Sequence, residues 1–415
     1  MAADRGLSKH PEPLAPAGER ATADEAAILA RLVATAKDMV PVLRERAAHC
    51  EELRRLPDET FRDFRAAGFF RIFQPRRYGG YELDYGFPQI ELGREIGRGC
   101  GSSAWVLTVM ACHSWIIGMF PERAQDEVWG EAPEAVSVTA TFPEEARVEA
   151  ADGGIKLWGR WKFSSGVDHA NWALIGAPGK RADGGFELLW TLVPRRDFEI
   201  IDTWFAGGLR GTGSKDVAMN GAFIPDHRIV THSVLAQGQG PGAAINRKHI
   251  YRLQMFSIYP YNICTPALGI ARGVIESYSE RARKQGPNAF GVRTAEVEIN
   301  QLKVSEAAVM IDAAETLLRV NAREFNDLAR AGTPLPLENR ARYRRDLAYA
   351  ALQCMRAVDL IHYIGGAHAL FEENPIQRAF RDVHAVNAQI GLRWDVGAVP
   401  YGRLALGVEL HDPFL

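Results

Sequence analysis

Gly154-Ile155-Lys156-Leu157-Trp158-Gly159-Arg160-Trp161-Lys162-Phe163-Ser164-Ser165-Gly166 is the stretch on which the fold turns. Ile155, Leu157, Gly159, Trp161 and Phe163 alternate with Lys156, Trp158, Arg160 and Lys162, the period-two pattern of a strand with one face toward a core. Asp152-Gly153-Gly154 just before it is a hairpin signal, since glycine accepts the positive φ that tight turns need. Comparable runs at 172–176, 186–193, 198–201 and 217–224 are separated by Gly and Pro. The segment that begins near Val136 therefore reads as an all-β module, a small barrel or a sandwich.

Outward from this module the period changes. On the N-terminal side Leu29, Leu32, Ala36, Met39, Val40 and Leu43 recur at three- and four-residue steps. Leu56-Pro57-Asp58-Glu59-Thr60 reads as a helix start with Asp58 as candidate N-cap, and Gly68 is placed to end that helix. Helical stretches follow at about 86–99, 103–118 and 121–129. On the C-terminal side Ile311, Ala314, Leu318, Ala322, Phe325 and Ala329 lie within a run at about 296–331 that stops at Gly332. Such a helix is roughly 50 Å long and needs an equally long partner, for which 338–364 is suited. The expected architecture is α+β and mostly α. A flexible, Pro- and Ala-rich tail (1–22) precedes an N-terminal helical domain (23–134), a β domain (135–235) and a C-terminal helical bundle (236–415).

The 415 residues carry 51 acidic and 49 basic side chains, so no global charge draws the chain to nucleic acid or an anionic membrane. Five scattered cysteines without zinc spacing fit buried thiols in a reducing compartment. Neither a signal peptide nor an apolar run long enough to span a bilayer is present, so the expected location is cytoplasmic. A GxGxxG after a strand, a GxxxxGK[ST], an HExxH and a GxSxG are all missing, which leaves a Rossmann site, a P-loop and two common hydrolase sites unsupported.

Several spaced motifs nevertheless carry a resemblance. They include Phe73-Gln74-Pro75-Arg76-Arg77-Tyr78-Gly79-Gly80, Gly101-Ser102-Ser103-Ala104-Trp105 and Cys112-His113-Ser114 in the first helical part. Phe163-Ser164-Ser165-Gly166 and the segment 211–215 follow in the middle, then Leu268-Gly269-Ile270-Ala271 and Gln377-Arg378-Ala379-Phe380-Arg381-Asp382 near the end. The chain resembles the acyl-CoA dehydrogenase superfamily over about residues 52–400. Within it, the chain looks like the oxygenase components of two-component aromatic monooxygenases of the p-hydroxyphenylacetate-hydroxylase type. The resemblance implies a homotetramer that takes reduced FMN or FAD from a separate NAD(P)H-dependent flavin reductase. It also implies reaction with O2 through a C4a-hydroperoxyflavin to hydroxylate an electron-rich aromatic, phenol- or indole-like.

Site residues follow from the same resemblance. Ser165 matches the hydroxyl that bonds flavin N5; a turn serine satisfying local backbone groups is the alternative. Phe163 and Ser164 would line the flavin, Thr139 would face the flavin or the substrate, and Trp105 would pack against the isoalloxazine, with a plain core role as its equal alternative. His113, alone in an apolar helical stretch, would manage protonation near the reacting oxygen; a core histidine is the alternative. Gln389 stands where phenol-hydroxylating relatives carry a histidine, and an amide takes no proton at neutral pH. His368, preceded by Ala367 in a loop near the flavin, is the preferred substitute base, whereas His384 points to another helix face. Arg283, one of three basic residues closing the 260–285 helix, is a candidate for the flavin phosphate. One rival reading is an acyl-CoA dehydrogenase or oxidase using FAD, with Glu372 and Glu373 near the expected base but Phe371 at its position. The other is a flavin-free scaffold.

Overall fold

The computed structural model describes residues 23–181, 183–287, 291–410, 412 and 415. The tail expected at 1–22 lies outside these residues. Five helices come first: α1 Ala23–Leu53, α2 Asp58–Ala67, α3 Phe87–Gly99, α4 Gly101–Ile117 and α5 Glu122–Trp129. Gly68 ends α2 in the left-handed region with φ 79°, as its position predicts. Pro57, not Asp58, is the residue flanking the α2 start; Asp58 is already helical and its carboxylate pairs with Arg55 instead of capping.

Eight strands follow: β1 Ser137–Ala140, β2 Pro143–Ala151, β3 Gly154–Ser164, β4 Trp172–Lys180, β5 Phe186–Pro194, β6 Glu199–Ile201, β7 Lys215–Pro225 and β8 Ile229–Thr231. They form two four-stranded sheets, ordered β1-β4-β5-β8 and β2-β3-β7-β6, with β1 and β4 parallel and every other pair antiparallel. Trp161, an inward residue of the alternating stretch, is fully buried and its indole N–H donates to the Gly176 carbonyl of the other sheet at 2.7 Å. Of the two β architectures open to the sequence, the packed pair of sheets is the one present.

Short helices α6 His232–Ala236 and α7 Met255–Ile258 lead into the long ones, α8 Tyr261–Lys284, α9 Glu298–Arg330 and α10 Leu337–Gly365. Then come α11 Pro375–Asn387, α12 Trp394–Gly397 and α13 Val399–Ala405. The stripe Ile311, Ala314, Leu318, Ala322 and Phe325 of α9 is fully buried, which is why the helix needs α8 and α10 beside it. Glycines let α3 and α8 approach closely: a Cβ at Gly97 would lie 2.9 Å from Gly269 Cα. Arg94 of α3 and Arg272 of α8 both reach the buried Glu315 of α9, at 2.7 and 2.8 Å. At the start of α8 a separate contact ties it to α4, where Thr108 Oγ1 donates to the Asn262 carbonyl at 2.5 Å. Among the described residues no helix is long and apolar enough to cross a membrane.

Candidate active site

The end of β3 does not run straight. Phe163 has φ 69°, unusual for a residue with a Cβ, and the pairing with β7 shifts register between Trp161 and Ser164. Ser164 still pairs with Lys215 of β7, and Gly166 at φ 80° then turns Ser165 out of the ladder beside Trp105 of α4. α4 sits against the turn so closely that a Cβ at Gly166 would meet Met110 Sδ at 2.8 Å.

At the turn, Trp105 Nε1 donates to Ser165 Oγ at 3.0 Å, and Ser165 Oγ bonds Ser214 Oγ at 2.7 Å. Ser214 Oγ in turn bonds Thr212 Oγ1 at 2.7 Å, whose hydroxyl donates to the Leu209 carbonyl at 2.9 Å. Leu209 is held at φ 49° by its own N–H, which donates to Asp382 Oδ1 at 2.7 Å. Burial pushes the Asp382 carboxyl up to about 7. Ser164 Oγ is fully buried without a hydrogen-bond partner among the described residues. Ser214 opens on a groove of about 400 Å³ walled by Phe163, Trp204 and Phe205 and edged by Arg160 and Lys162. Phe163 meets Trp204 edge-on at 6.3 Å.

A second group surrounds His113, which is fully buried on α4. Its Nδ1 lies 2.6 Å from the Ser137 carbonyl, so that nitrogen carries the proton and Nε2 is left as an acceptor, with the Tyr259 hydroxyl 3.5 Å away. Burial lowers its pKa to about 4 despite the Ser137 bond, so the ring is neutral at physiological pH. One helical turn beyond Tyr259, Asn262 is fully buried with neither side-chain polar atom bonded among the described residues. Thr139, two residues past Ser137 on β1, donates to the Leu174 carbonyl at 3.0 Å.

The structure thus joins Trp105, Phe163, Ser164 and Ser165 in one turn and places His113 and Thr139 on elements packed against it. Gln389 sits apart. Its Oε1 accepts the Gly391 N–H at 2.5 Å, and the Gly391 turn packs near Pro260 and Ile263 at the start of α8. His384 is turned to α10, with Nε2 3.4 Å from Asp359. His368 and Ala367 are exposed, and His368 lines a groove with Arg281, Phe371 and Asn374. Arg281 and Lys284 also border a neighbouring groove of about 700 Å³, while Arg283, 200° around the helix from Arg281, is exposed outside both. Phe371, Glu372 and Glu373 are exposed as well. Ser214, Thr212, Tyr259 and Asn262 were not singled out by sequence reasoning. The segment 211–215 was marked as a motif, but its hydroxyls join Ser165 only in three dimensions.

A flavin fits the turn on these grounds: aromatic side chains at the groove, the Ser214 hydroxyl on its lining with Ser165 bonded behind it, and the unpaired buried oxygen of Ser164 next in the chain. Residues 22–132 match the acyl-CoA dehydrogenase N-terminal domain and residues 261–394 its C-terminal domain. The chain is 33% identical over 377 residues to the flavin-dependent monooxygenase oxygenase subunit HsaA of Rhodococcus jostii (strain RHA1), covering 90% of this chain and 98% of that one. It is 33% identical over 395 residues to the oxygenase component of an FADH(2)-dependent resorcinol hydroxylase from Rhizobium sp. (strain MTP-10005), covering 91% and 95%. The solved structure of XiaF from Streptomyces sp. in complex with FADH2 and glycerol superposes with a TM-score of 0.85 at 28% identity, over 94% of this chain and 98% of that one. The chain belongs to the acyl-CoA dehydrogenase family and, within it, to the oxygenase components of flavin-dependent monooxygenases.

Proposed function

We propose that this protein hydroxylates a phenol-like aromatic with O2, using reduced FMN or FAD delivered by a separate NAD(P)H-dependent flavin reductase. The observation that carries the reading is the buried Ser165 hydroxyl, which accepts the Trp105 N–H and bonds Ser214, itself on the lining of a groove walled by Phe163, Trp204 and Phe205. The reduced flavin supplies the electrons that activate O2 for transfer of one oxygen atom to the ring. Ser165 holds the flavin N5 edge, Phe163 and Trp204 shield it from water, and Ser164 and Thr139 offer further oxygens. Shielding matters because water and free protons divert the activated oxygen to hydrogen peroxide.

His113 acts as a neutral acceptor. With Nδ1 tied to Ser137 and its pKa near 4, it has no proton to give from Nε2; a phenol O–H that takes the place of the distant Tyr259 hydroxyl donates to Nε2 and is oriented by it. That assignment replaces a base at position 389, since Gln389 Oε1 is occupied by Gly391 and the exposed His368 lines another groove. The test supplies chemically reduced FMN or FAD with resorcinol, p-hydroxyphenylacetate or indole-3-acetate and follows product by chromatography. A hydroxylated product from a phenol supports the reading; product from indole-3-acetate alone moves the substrate class to indoles.

Assembly as a homotetramer is part of the proposal. Leu302 and Val309 on α9, and Tyr363 and Leu406 near the C-terminal end, are all more than 60% exposed in the single chain. Light scattering is expected to return four times the mass of one chain, and a monomeric mass would remove this part. The five cysteines are free and buried, which supports a reducing, cytoplasmic setting.

A further inference from the structure

Cys100 joins α3 to α4 in an extended conformation and flanks the first turn of α4. Gly99 before it packs so closely on α1 that a Cβ there would lie 2.6 Å from Leu43 Cβ. From the same α1, Cys50 meets Cys100 side chain to side chain, and its Sγ also lies 3.6 Å from the Arg55 and Gly211 carbonyl oxygens. Two free thiols from distant parts of the chain thus share one buried junction. Cys100, unlike Cys50, lines the groove of about 700 Å³ where Arg98, Lys284 and Arg378 stand. The surroundings divide the chemistry between them. Contacts with Cys50 and with Ser103 of the first α4 turn outweigh burial and bring the Cys100 thiol down to about 6, with Arg378 acting in the same direction. The same contact, burial and the Asp382 carboxylate push Cys50 well up, so it keeps its proton. Elsewhere burial pushes Cys112 and Cys354 up to about 12 and Cys264 well above its usual value.

We propose that Cys100 and Cys50 form a peroxide-responsive thiol pair, in which hydrogen peroxide entering by the groove oxidises Cys100 and Cys50 then closes a reversible disulfide. In the first step the Cys100 thiolate attacks one peroxide oxygen, the O–O bond breaks and hydroxide leaves, giving a sulfenic acid. That hydroxide takes the Cys50 proton. The Cys50 sulfur then attacks Cys100 Sγ, the S–O bond breaks and water leaves. Two thiols and one hydrogen peroxide become one disulfide and two waters. The oxidant is a by-product of flavin oxygenation, released whenever the activated oxygen is not transferred. It is small enough to reach a groove-lining sulfur that a bulky reagent would not. The new bond draws Cys50 Sγ away from the Gly211 carbonyl and ties α1 to the start of α4. No identity of the aromatic substrate enters this argument.

The experiment exposes the fully reduced, full-length protein to hydrogen peroxide at pH 7, quenches with N-ethylmaleimide at intervals, and maps every cysteine by peptide mass spectrometry without reduction. The Cys50–Cys100 disulfide is expected as the first product, formed at least about tenfold faster than any change at Cys112, Cys264 or Cys354, and reversed by dithiothreitol. In urea the selectivity should vanish, because the fold and not the local sequence sets it. Cys50→Ser is expected to leave Cys100 as a sulfenic acid that dimedone traps, and Cys100→Ser to leave Cys50 reduced. The wild-type map decides the matter even where a variant fails to fold. Oxidation of the five cysteines at similar rates, or a first reaction at Cys112, Cys264 or Cys354, overturns the proposal. So does a Cys100 carried on to sulfinic acid while Cys50 stays reduced. Each of these results leaves the flavin site and the proposed hydroxylation untouched.

Discussion

His113→Asn is expected to lower aromatic hydroxylation by roughly tenfold at saturating reduced flavin, the scale of losing one buried orienting hydrogen bond. The substitution is chosen for what it keeps. An asparagine Nδ2 can still donate to the Ser137 carbonyl as the imidazole Nδ1 does, so α4 stays tied to β1, while the acceptor at Nε2 disappears. Product formation followed by chromatography, with the folded state checked by circular dichroism, separates the two roles. Retention of activity within a few-fold makes His113 a satisfied core histidine and nothing more.

The same substitution carries a pH signature. An unfolded histidine titrates near 6.5, whereas burial holds His113 near 4 in the folded chain. Between those values the unfolded state binds the extra proton, so the contribution of His113 to stability is complete above about pH 6.5 and lost as pH falls toward 4. The full window corresponds to about 3 kcal/mol. The stability advantage of the wild type over His113→Asn should shrink by that order between pH 7 and pH 4 in urea titrations at fixed protein concentration. Asp382 has the opposite sign, since its raised pKa makes its contribution fall as pH rises toward 7, but it is present in both proteins and drops out of the difference.

Ser165→Ala is expected to shift oxygen use toward hydrogen peroxide, with hydroxylated product per oxygen consumed falling about tenfold, the scale of one buried hydrogen bond. Ser165 Oγ accepts the Trp105 N–H and bonds Ser214 Oγ, and its removal leaves the Trp105 N–H without an acceptor. Peroxide and product measured in the same reaction report the partition directly. Unchanged coupling would place N5 elsewhere and leave Ser165 as a turn residue.

Much of this was legible in the sequence, and the physical reasons for the rest are specific. Period-two alternation in β3 and the three- and four-residue steps of α9 announce their buried faces, so the order of helical, β and helical parts could be read directly. β2 was harder, since Glu144, Glu145, Arg147 and Glu149 make an exposed edge strand look like a loop. α4 has no polar face: every one of its residues is buried, so periodicity could not say that Trp105 meets β3 while His113 meets β1. The partners of Ser165 were out of reach for another reason. Trp105 is 60 residues away and Ser214 is 49, and only the bulge at Phe163 and the left-handed turn at Leu209 bring them together. His368 illustrates the converse, a residue prominent in its motif that the single chain leaves on the surface.

The most direct test of the central claim follows the oxygen atom. The wild type is given reduced FMN or FAD under ¹⁸O₂ with resorcinol and p-hydroxyphenylacetate as probes, and the products are read by mass spectrometry. One ¹⁸O atom per hydroxylated product is the predicted result. Absence of label from every product, together with bleaching of enzyme-bound oxidised FAD by an acyl-CoA, would contradict the account and return the chain to dehydrogenase chemistry.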